Sequence, residues 1–423
     1  MSRSHLFALT PLLIAGMLQG PALADGLTPK EQLGKQLFFD NLSDPSRVSC
    51  SSCHSPETGW TGPVAGINRH GGVYRGAIPV RFGGRKPPSA AYATQSPVFG
   101  FSASGRPSGG NFWDGRATGE KLGNPAADQA QGPFLNPVEQ NNPDPQSVCF
   151  KVMDSDYAQL FDEAWGEPLD CYEGLALTYD RIGLAIAAYE ASSEVNQFSS
   201  KYDRYLDGDV ELTAQEAEGL QLFQDVRCSA CHRLDAALPL FTSFGYANIG
   251  TPRNPDNPFY DMDRILLDDG TPINPLGRDW VDLGLGGFLA TRPDYEDRAM
   301  ENDGKYKFPT LRNVAKGFGK GFPKTYGHNG YFKSLEGIVH FYNTRDVKAV
   351  CPDNPKTELN ESLFTSEQDA LRMDCWPEPE VNRNLTAGIV GNLGLTPEEE
   401  DAIVAFLQTL SDGFEEVPRG PTH

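Results

Sequence analysis

Two short motifs hold the residues of this sequence that are best suited to chemistry. Each has two cysteines three positions apart and a histidine directly after them: Cys50, Cys53 and His54, then Cys228, Cys231 and His232. This C-x-x-C-H spacing is the attachment signature of a c-type haem, in which both thiols form thioethers and the histidine ligates the iron. A zinc site could use both C-x-x-C pairs but does not explain a histidine directly after each, and a thioredoxin-like pair needs a βαβ context that is absent here. The sequence therefore predicts two covalently bound haem c groups.

Four further cysteines, Cys149, Cys171, Cys351 and Cys375, stand outside these motifs and show no metal-ligand spacing. In an oxidising compartment such thiols pair with one another. Local pairing, Cys149 with Cys171 and Cys351 with Cys375, closes two loops of roughly two dozen residues, each worth ~3 kcal/mol. Because four cysteines allow three connectivities, this pairing is a hypothesis.

The start of the chain has the order of a secretory signal peptide. Arg3 gives a positive start, an apolar stretch covers Leu6–Leu18, and Ala22 and Ala24 form an A-x-A cleavage site. The apolar stretch is shorter than the ~20 residues that a membrane span needs. We therefore predict a signal peptide over 1–24 and an exported, periplasmic protein without a membrane span.

The charge balance excludes one class of partner and favours another. The chain has 57 acidic and 36 basic residues, for a formal net charge of −21. Such a surface repels the phosphates of nucleic acid, so we expect no nucleic-acid partner. It is complementary to a small basic protein.

A repeated helix stands before each haem motif and must position it. Segments 27–40 and 212–225 are identical at eight of fourteen positions, at a constant offset of 185 residues. Both open with a Thr-x-x-Glu capping box and carry an apolar stripe at helical spacing. Each half also ends on an amphipathic helix, the first over Ile182–Tyr189 and the second opening at Thr396.

Between these helices the chain is rich in glycine and proline and has few alternating strands. We therefore predict a mainly α fold of two tandem cytochrome c-like haem domains with long loops. The domains are predicted over residues 25–205 and 206–423.

At this level of detail the sequence resembles the bacterial di-haem cytochrome c peroxidase family, which includes the MauG-like, tyrosine-ligated enzymes that mature tryptophan-derived quinone cofactors. The segments that carry the resemblance stand in family order: LGKQLFFDNLSDPSRVSCSSCH, FWDGRATGE, QAQGPFLNPVEQ, FPTLRNVAKGF and HNGYFKSLEGIVHFYN. The resemblance implies that the haem of the N-terminal domain reacts with hydrogen peroxide. The haem of the C-terminal domain then relays electrons from a donor.

For the first haem, the resemblance implies that Glu139 is the distal base, with Gln129 and Pro133 at the matching flanking positions. Splitting the O–O bond needs an open iron position and a base that moves a proton between the two oxygens. His70, which lies sixteen residues after His54, is a second candidate for this iron, because peroxidases of the family place a removable distal histidine there. A loop histidine without a ligand role is the alternative.

For the second haem, the resemblance implies His232 as proximal ligand and Tyr342 as distal ligand. Peroxidases of the family carry a methionine fourteen residues after the histidine of an H-x-G motif, and here that position, counted from His328, is Tyr342. A phenolate lowers a haem potential where a methionine raises it. A core tyrosine is the alternative, and Tyr326 and His328 are fallback ligands.

Two further positions concern the path between the haems. Trp113 matches the inter-haem tryptophan of the family, whereas Val226 stands where the quinone-maturing branch has another tryptophan. Lys86 occupies the place of an asparagine at the family's inter-haem calcium site, so calcium stays doubtful.

The leading functional hypothesis is a periplasmic di-haem peroxidase that reduces hydrogen peroxide with electrons from a small basic cytochrome c or cupredoxin. One alternative is a MauG-like oxidase that uses a high-valent iron state to oxidise a protein or organic substrate. The other is a non-enzymatic electron carrier. Family peroxidases are often dimers, so a homodimer is left open.

Overall fold

The computed structural model describes residues 26–319, 321–352 and 365–416, and the predicted signal peptide over 1–24 lies outside them. The described part of the chain contains twelve α-helices, which are α1 (Pro29–Phe39), α2 (Ala65–Arg69), α3 (Pro125–Leu135), α4 (Pro145–Met153), α5 (Gln159–Trp165), α6 (Leu175–Ala191), α7 (Lys201–Leu206), α8 (Ala214–Asp225), α9 (Leu285–Leu289), α10 (Leu335–Thr344), α11 (Glu367–Arg372) and α12 (Pro397–Gln408).

Strands of the described residues are confined to three short two-stranded pairs. They are β1 (Gly100–Phe101) antiparallel to β2 (Pro107–Ser108), β3 (Tyr246–Ala247) antiparallel to β4 (Tyr306–Lys307), and β5 (Ala349–Val350) parallel to β6 (Cys375–Trp376). Loops and short 3-10 turns connect the helices. The predicted mainly α class is confirmed.

The first half is built on the crossing of α1 and α6. The predicted capping box begins α1: the Glu31 N–H donates to the Thr28 hydroxyl at 3.3 Å, and the Thr28 N–H donates to the Glu31 carboxylate at 2.7 Å. The helices touch at Gly34, where a Cβ would lie 1.9 Å from the carbonyl oxygen of Ala185 and 2.9 Å from the Cβ of Tyr189. Only glycine allows two backbones to approach so closely.

The second half repeats this crossing with α8 and α12. A Cβ on Gly219 would lie 1.9 Å from the carbonyl oxygen of Ala402 and 2.9 Å from the Cβ of Phe406. Capping boxes open both helices, as the sequence predicts. One spacing of 217 residues relates Ala185 to Ala402 and also Tyr189 to Phe406. The two halves are therefore the same helix pair built twice.

Helix α7 lies at the predicted domain boundary between residues 205 and 206. Tyr202, near its start, packs into the second core with Phe406 and Phe241. The division into 25–205 and 206–423 stays a prediction.

Buried ion pairs join the two halves. Arg312 donates to both carboxylate oxygens of Asp203, at 3.0 and 2.7 Å, and its side chain is fully buried. Arg85 donates to both oxygens of Asp282 at 2.7 Å and to Asp114 at 2.6 Å. Separating the partners of a buried ion pair leaves uncompensated buried charges, which is strongly destabilising. These pairs therefore fix the relative position of the two halves.

The predicted disulfides are confirmed. Cys149 is bonded to Cys171 and Cys351 to Cys375, while the four cysteines of the haem motifs take part in no disulfide. Across the described residues, every helix is too short or too polar to cross a membrane.

Candidate haem cavities

The first haem motif forms a tight 3-10 turn over Cys50–Ser52 on the wall of a cavity of about 480 Å³. The backbone N–H groups of Cys53 and His54 both donate to the Cys50 carbonyl, at 3.1 and 2.9 Å. The turn therefore delivers both sulfur atoms and the imidazole to one cavity. The His54 Nδ1 lies 3.2 Å from the carbonyl oxygen of Trp60, a contact that orients a metal-ligating histidine. Burial lowers the pKa of His54 to about 4, so the ring is neutral.

The second motif repeats this geometry in a separate cavity of about 160 Å³. Its turn covers Cys228–Ala230, and the N–H groups of Cys231 and His232 donate to the Cys228 carbonyl at 3.2 and 3.0 Å. The His232 Nδ1 lies 2.8 Å from the carbonyl oxygen of Phe241. Burial lowers the pKa of His232 as well.

These residues fit covalent haem better than the alternatives. In the part of the chain that the structure describes, no group of three or more His, Cys, Asp or Glu side chains is arranged to hold a metal ion. The C-x-x-C pairs line different cavities, so they do not form one four-thiolate zinc site. Neither C-x-x-C pair forms a disulfide, so all four sulfur atoms are available for thioether bonds.

Glu139 faces the first cavity from the turn that follows α3. The Asn136 amide donates to the Glu139 Oε1 at 2.9 Å, and the Glu139 N–H donates to the Asn136 carbonyl at 3.0 Å. Burial raises the pKa of the Glu139 carboxyl, and both Arg116 and this hydrogen bond oppose the rise. A fixed carboxylate with a raised pKa is suited to move a proton.

Helix α3 brings Gln129 and Pro133 to the same cavity. The two residues are four positions apart and so share one face of the helix. Pro133 ends the regular hydrogen bonding of α3, and its carbonyl accepts the N–H groups of Asn136 and Gln140, at 3.3 and 3.1 Å. These contacts shape the turn that presents Glu139.

His70 is not brought to the first cavity. It lies exposed just after α2 and is absent from the cavity wall among the described residues. Its carbonyl accepts a hydrogen bond from the Lys333 ammonium. The structure thus places the His70 side chain in solvent, outside the first cavity, and its role as a removable ligand stays a prediction.

Tyr342 and Tyr326 both line the second cavity with Cys228 and His232. The Tyr326 hydroxyl donates to the Val314 carbonyl at 3.2 Å, whereas no hydrogen bond to the Tyr342 hydroxyl occurs among the described residues. Burial raises the pKa of Tyr342. A phenol that lines the cavity beside Cys228 and His232 without a hydrogen-bond partner from the protein favours Tyr342 over Tyr326 as the ligand.

His328, the other fallback ligand, lies away from the second cavity. Its ring stacks on Tyr306, with centroids 3.5 Å apart and planes at 10°. Its Nε2 lies 3.9 Å from Asp282 and 4.0 Å from Glu380. His328 therefore belongs to the buried polar network between the halves.

Trp113 lines both cavities and is 9% exposed. Its indole N–H donates to the Lys86 carbonyl at 2.9 Å, and its carbonyl accepts the Lys307 N–H at 2.9 Å. These bonds fix one aromatic ring in the wall that the cavities share.

The Lys86 side chain lies in the same wall. Its ammonium is 3.2 Å from the Pro87 carbonyl oxygen, 3.5 Å from the Thr61 hydroxyl and 5.9 Å from the centre of the Trp113 ring. Burial lowers the pKa of Lys86 to about 8. An amine therefore stands beside Trp113 where the family resemblance implies a calcium ion.

Two charged residues of the first cavity are not found by the sequence reasoning. Glu190 lines the cavity from α6 and has no motif around it. Lys307, at the end of β4, donates to the side chains of Ser96 and Asn111, both at 2.8 Å. In the sequence, Glu190 stands out only as a carboxylate directly after the predicted amphipathic helix Ile182–Tyr189.

Comparisons with known proteins agree with this arrangement. The family model described as "Di-haem cytochrome c peroxidase" matches residues 28–211. The methylamine utilization protein MauG of Paracoccus denitrificans is 34% identical over 422 residues, which cover 96% of this chain and 95% of that protein. The cytochrome c551 peroxidase of Pseudomonas aeruginosa is 35% identical over 207 residues, 48% of this chain and 50% of that protein.

Among solved structures, the diheme peroxidase BthA of Burkholderia thailandensis superposes with a TM-score of 0.68 at 29% identity, covering 91% of this chain and 86% of that one. The match to MauG spans both haem motifs at an identity that establishes the family. The chain is thus an oxidoreductase with two covalently bound haem c groups and belongs to the di-haem cytochrome c peroxidase family that includes MauG.

Proposed function

We propose that this protein is a periplasmic peroxidase of two haem domains, which reduces hydrogen peroxide to water in the first cavity with electrons that enter at the second. The observation that carries the proposal is the pairing of Glu139 with Gln129 and Pro133 on the wall that also holds Cys50 and His54. Haem iron supplies the site where peroxide binds and the redox equivalents that its cleavage requires.

Glu139 is the group that moves the proton. Its carboxylate would take a proton from one oxygen of peroxide and return it to the other oxygen, which leaves as water. Two electrons from the donor and two protons from solvent complete the conversion of one peroxide to two waters. The Asn136 amide holds the carboxylate at 2.9 Å, so the base is oriented before substrate arrives.

In the second cavity, His232 and Tyr342 are the residues that would hold the haem iron. Iron held by two protein side chains would exchange electrons and leave peroxide chemistry to the first cavity. Trp113 is the aromatic residue in the shared wall and serves as the stepping stone between the haems. The net charge of −21 favours a small basic electron donor.

The test is peroxide-dependent oxidation of a reduced basic cytochrome by the purified di-haem protein. We expect steady turnover by the wild type and a loss of about 10²–10⁴-fold in Glu139→Gln, the range typical of removing a general base. Glu163→Gln, an exposed residue on α5, is the matched control and keeps full activity. Absence of turnover with any reduced cytochrome or artificial donor contradicts the proposal.

A second candidate is long-range oxidation of a protein or organic substrate, as a MauG-like enzyme. Tyr342 at the second cavity and the full-length similarity to MauG favour it. Val226 opposes it, because an aliphatic side chain cannot relay an electron where the quinone-maturing branch has a tryptophan. If Tyr342→Phe leaves the six-coordinate haem spectrum unchanged at low temperature, this candidate loses its basis.

A further inference from the structure

Besides Glu139 and the ion-paired Asp114, the first cavity contains a third carboxyl group, whose role the peroxide reaction does not explain. Glu190 lies in the last turn of α6, is 4% exposed and lines the cavity with Cys50, Cys53 and His54. No hydrogen bond to its carboxyl group occurs in the described part of the chain. A carboxyl group that faces a haem cavity without a hydrogen-bond partner from the protein is costly to ionise and calls for an explanation.

The second cavity shows what this helix position otherwise holds. The spacing of 217 residues that relates Tyr189 to Phe406 also relates Glu190 to Leu407, and Leu407 lines the second cavity. One turn earlier, Ile186 and Ile403 are equivalent and line their cavities alike. The scaffold therefore accepts an aliphatic side chain here, and a leucine would remove the cost of burying a carboxyl.

We propose that Glu190 sets the reduction potential of the first haem, holding it below the value that an aliphatic side chain at this position would give. A ferric haem carries one more positive charge than a ferrous haem. A carboxylate in the same cavity therefore stabilises the oxidised state, and a low effective dielectric strengthens this effect. The proposal concerns the haem itself and holds whether or not the protein reduces peroxide.

Other charged groups of the cavity do not take over this role. Arg85 and Arg116 are balanced by Asp114 and Asp282. The remaining charged side chains on the cavity wall are Arg75, Lys86, Glu139 and Lys307. None of them contributes a resolved shift to the pKa of Glu190, which burial alone raises to about 8. Because these charged groups are present in the wild type and in the variants alike, a difference in the reduction potential of the first haem reports on Glu190 alone.

The experiment is spectroelectrochemical titration of both haems in the di-haem protein at pH 9, where the Glu190 carboxyl is mostly ionised. Glu190→Gln keeps the shape of the side chain. In this variant we expect the equilibrium constant for reduction of the first haem to rise at least tenfold, which raises its potential by about 59 mV for one electron. Glu190→Leu, which copies Leu407, raises it in the same direction. The potential of the second haem stays unchanged in both variants.

Glu163→Gln removes one surface charge and serves as the control for net charge, with no change in either potential. Potentials of the first haem that agree within error among the wild type, Glu190→Gln and Glu190→Leu overturn the proposal. Failure of both variants to incorporate the first haem also overturns it, because Glu190 would then be a structural residue. Peroxide turnover is not part of this readout, so its absence bears on the proposed function alone.

Discussion

The two haem cavities stand on the same helix pair but receive different side chains. Gly34 and Gly219 make equivalent close contacts, and each motif forms the same 3-10 turn. Carboxyl groups face the first cavity from α6 and from the turn after α3, whereas a tyrosine and aliphatic side chains face the second. The duplicated scaffold thus attaches the haem, and a few positions in loops and helix ends decide what each haem does.

The largest expected effect tests whether the scaffold is shared. Gly34→Ala and Gly219→Ala each place a Cβ 1.9 Å from a carbonyl oxygen of the facing helix, so the helices must separate. We expect each variant to lower the free energy of unfolding by about 1–3 kcal/mol or more, the usual cost of overpacking. Thermal or denaturant unfolding of the holoprotein measures it.

Gly66→Ala is the control for these variants, because Gly66 is helical and a Cβ there meets nothing within 4 Å. It should be neutral or slightly stabilising. If only one of the two crossing glycines proves sensitive, the halves do not share one scaffold.

Tyr342→Phe tests what distinguishes the second cavity. Removing the phenol oxygen takes away the proposed anionic ligand. We therefore expect the equilibrium constant for reduction of the second haem to rise at least tenfold, which raises its potential by about 59 mV. The first haem stays unchanged. Tyr326→Phe is the matched control, since the Tyr326 hydroxyl is bonded to the Val314 carbonyl. A larger shift in the control than in Tyr342→Phe would reverse the assignment.

Trp113→Phe tests the wall that the cavities share. With the indole removed, we expect electron transfer from the second haem to the first to slow about tenfold, which is ~1.4 kcal/mol of barrier. Stopped-flow spectroscopy on reductant mixing follows both haems. Trp280→Phe is the control, because Trp280 lines the first cavity only. Equal rates in wild type and Trp113→Phe would remove Trp113 from the path.

The smallest effect concerns the pH dependence of the first cavity. Burial raises the pKa of Glu139, so its carboxylate is lost as pH falls through a value above the ~4.3 of free glutamate. The acid limb of kcat/KM for peroxide should therefore lie above that value. Arg116 lowers the pKa of Glu139, so Arg116→Gln should move the limb to higher pH. Arg106→Gln, at an exposed position, should leave it in place.

Much of the fold follows from local sequence. The capping boxes at Thr28, Thr213 and Thr396 mark helix starts because their side chains satisfy backbone N–H groups within one turn. The disulfide pairs follow from short loops in an oxidising compartment. The haem motifs depend on spacing within a single turn, which the sequence shows directly.

What the sequence does not reveal depends on contacts between distant segments. The bidentate pair of Arg85 and Asp282 joins residues 197 positions apart. Glu190 looks like the polar end of an amphipathic helix in the sequence, but in the fold it is buried and lines the first cavity. His70 has a favourable sequence position, but its loop places it in solvent. Each of these depends on tertiary packing that no local pattern encodes.

The measurement that tests the division of labour most directly is electron paramagnetic resonance of the oxidised di-haem protein, beside Tyr342→Phe. We expect one high-spin ferric haem in the first cavity and one low-spin, six-coordinate haem in the second. Only the low-spin signal should change in Tyr342→Phe. Two low-spin signals in the wild type, both unaffected by Tyr342→Phe, would contradict the account and favour an electron carrier.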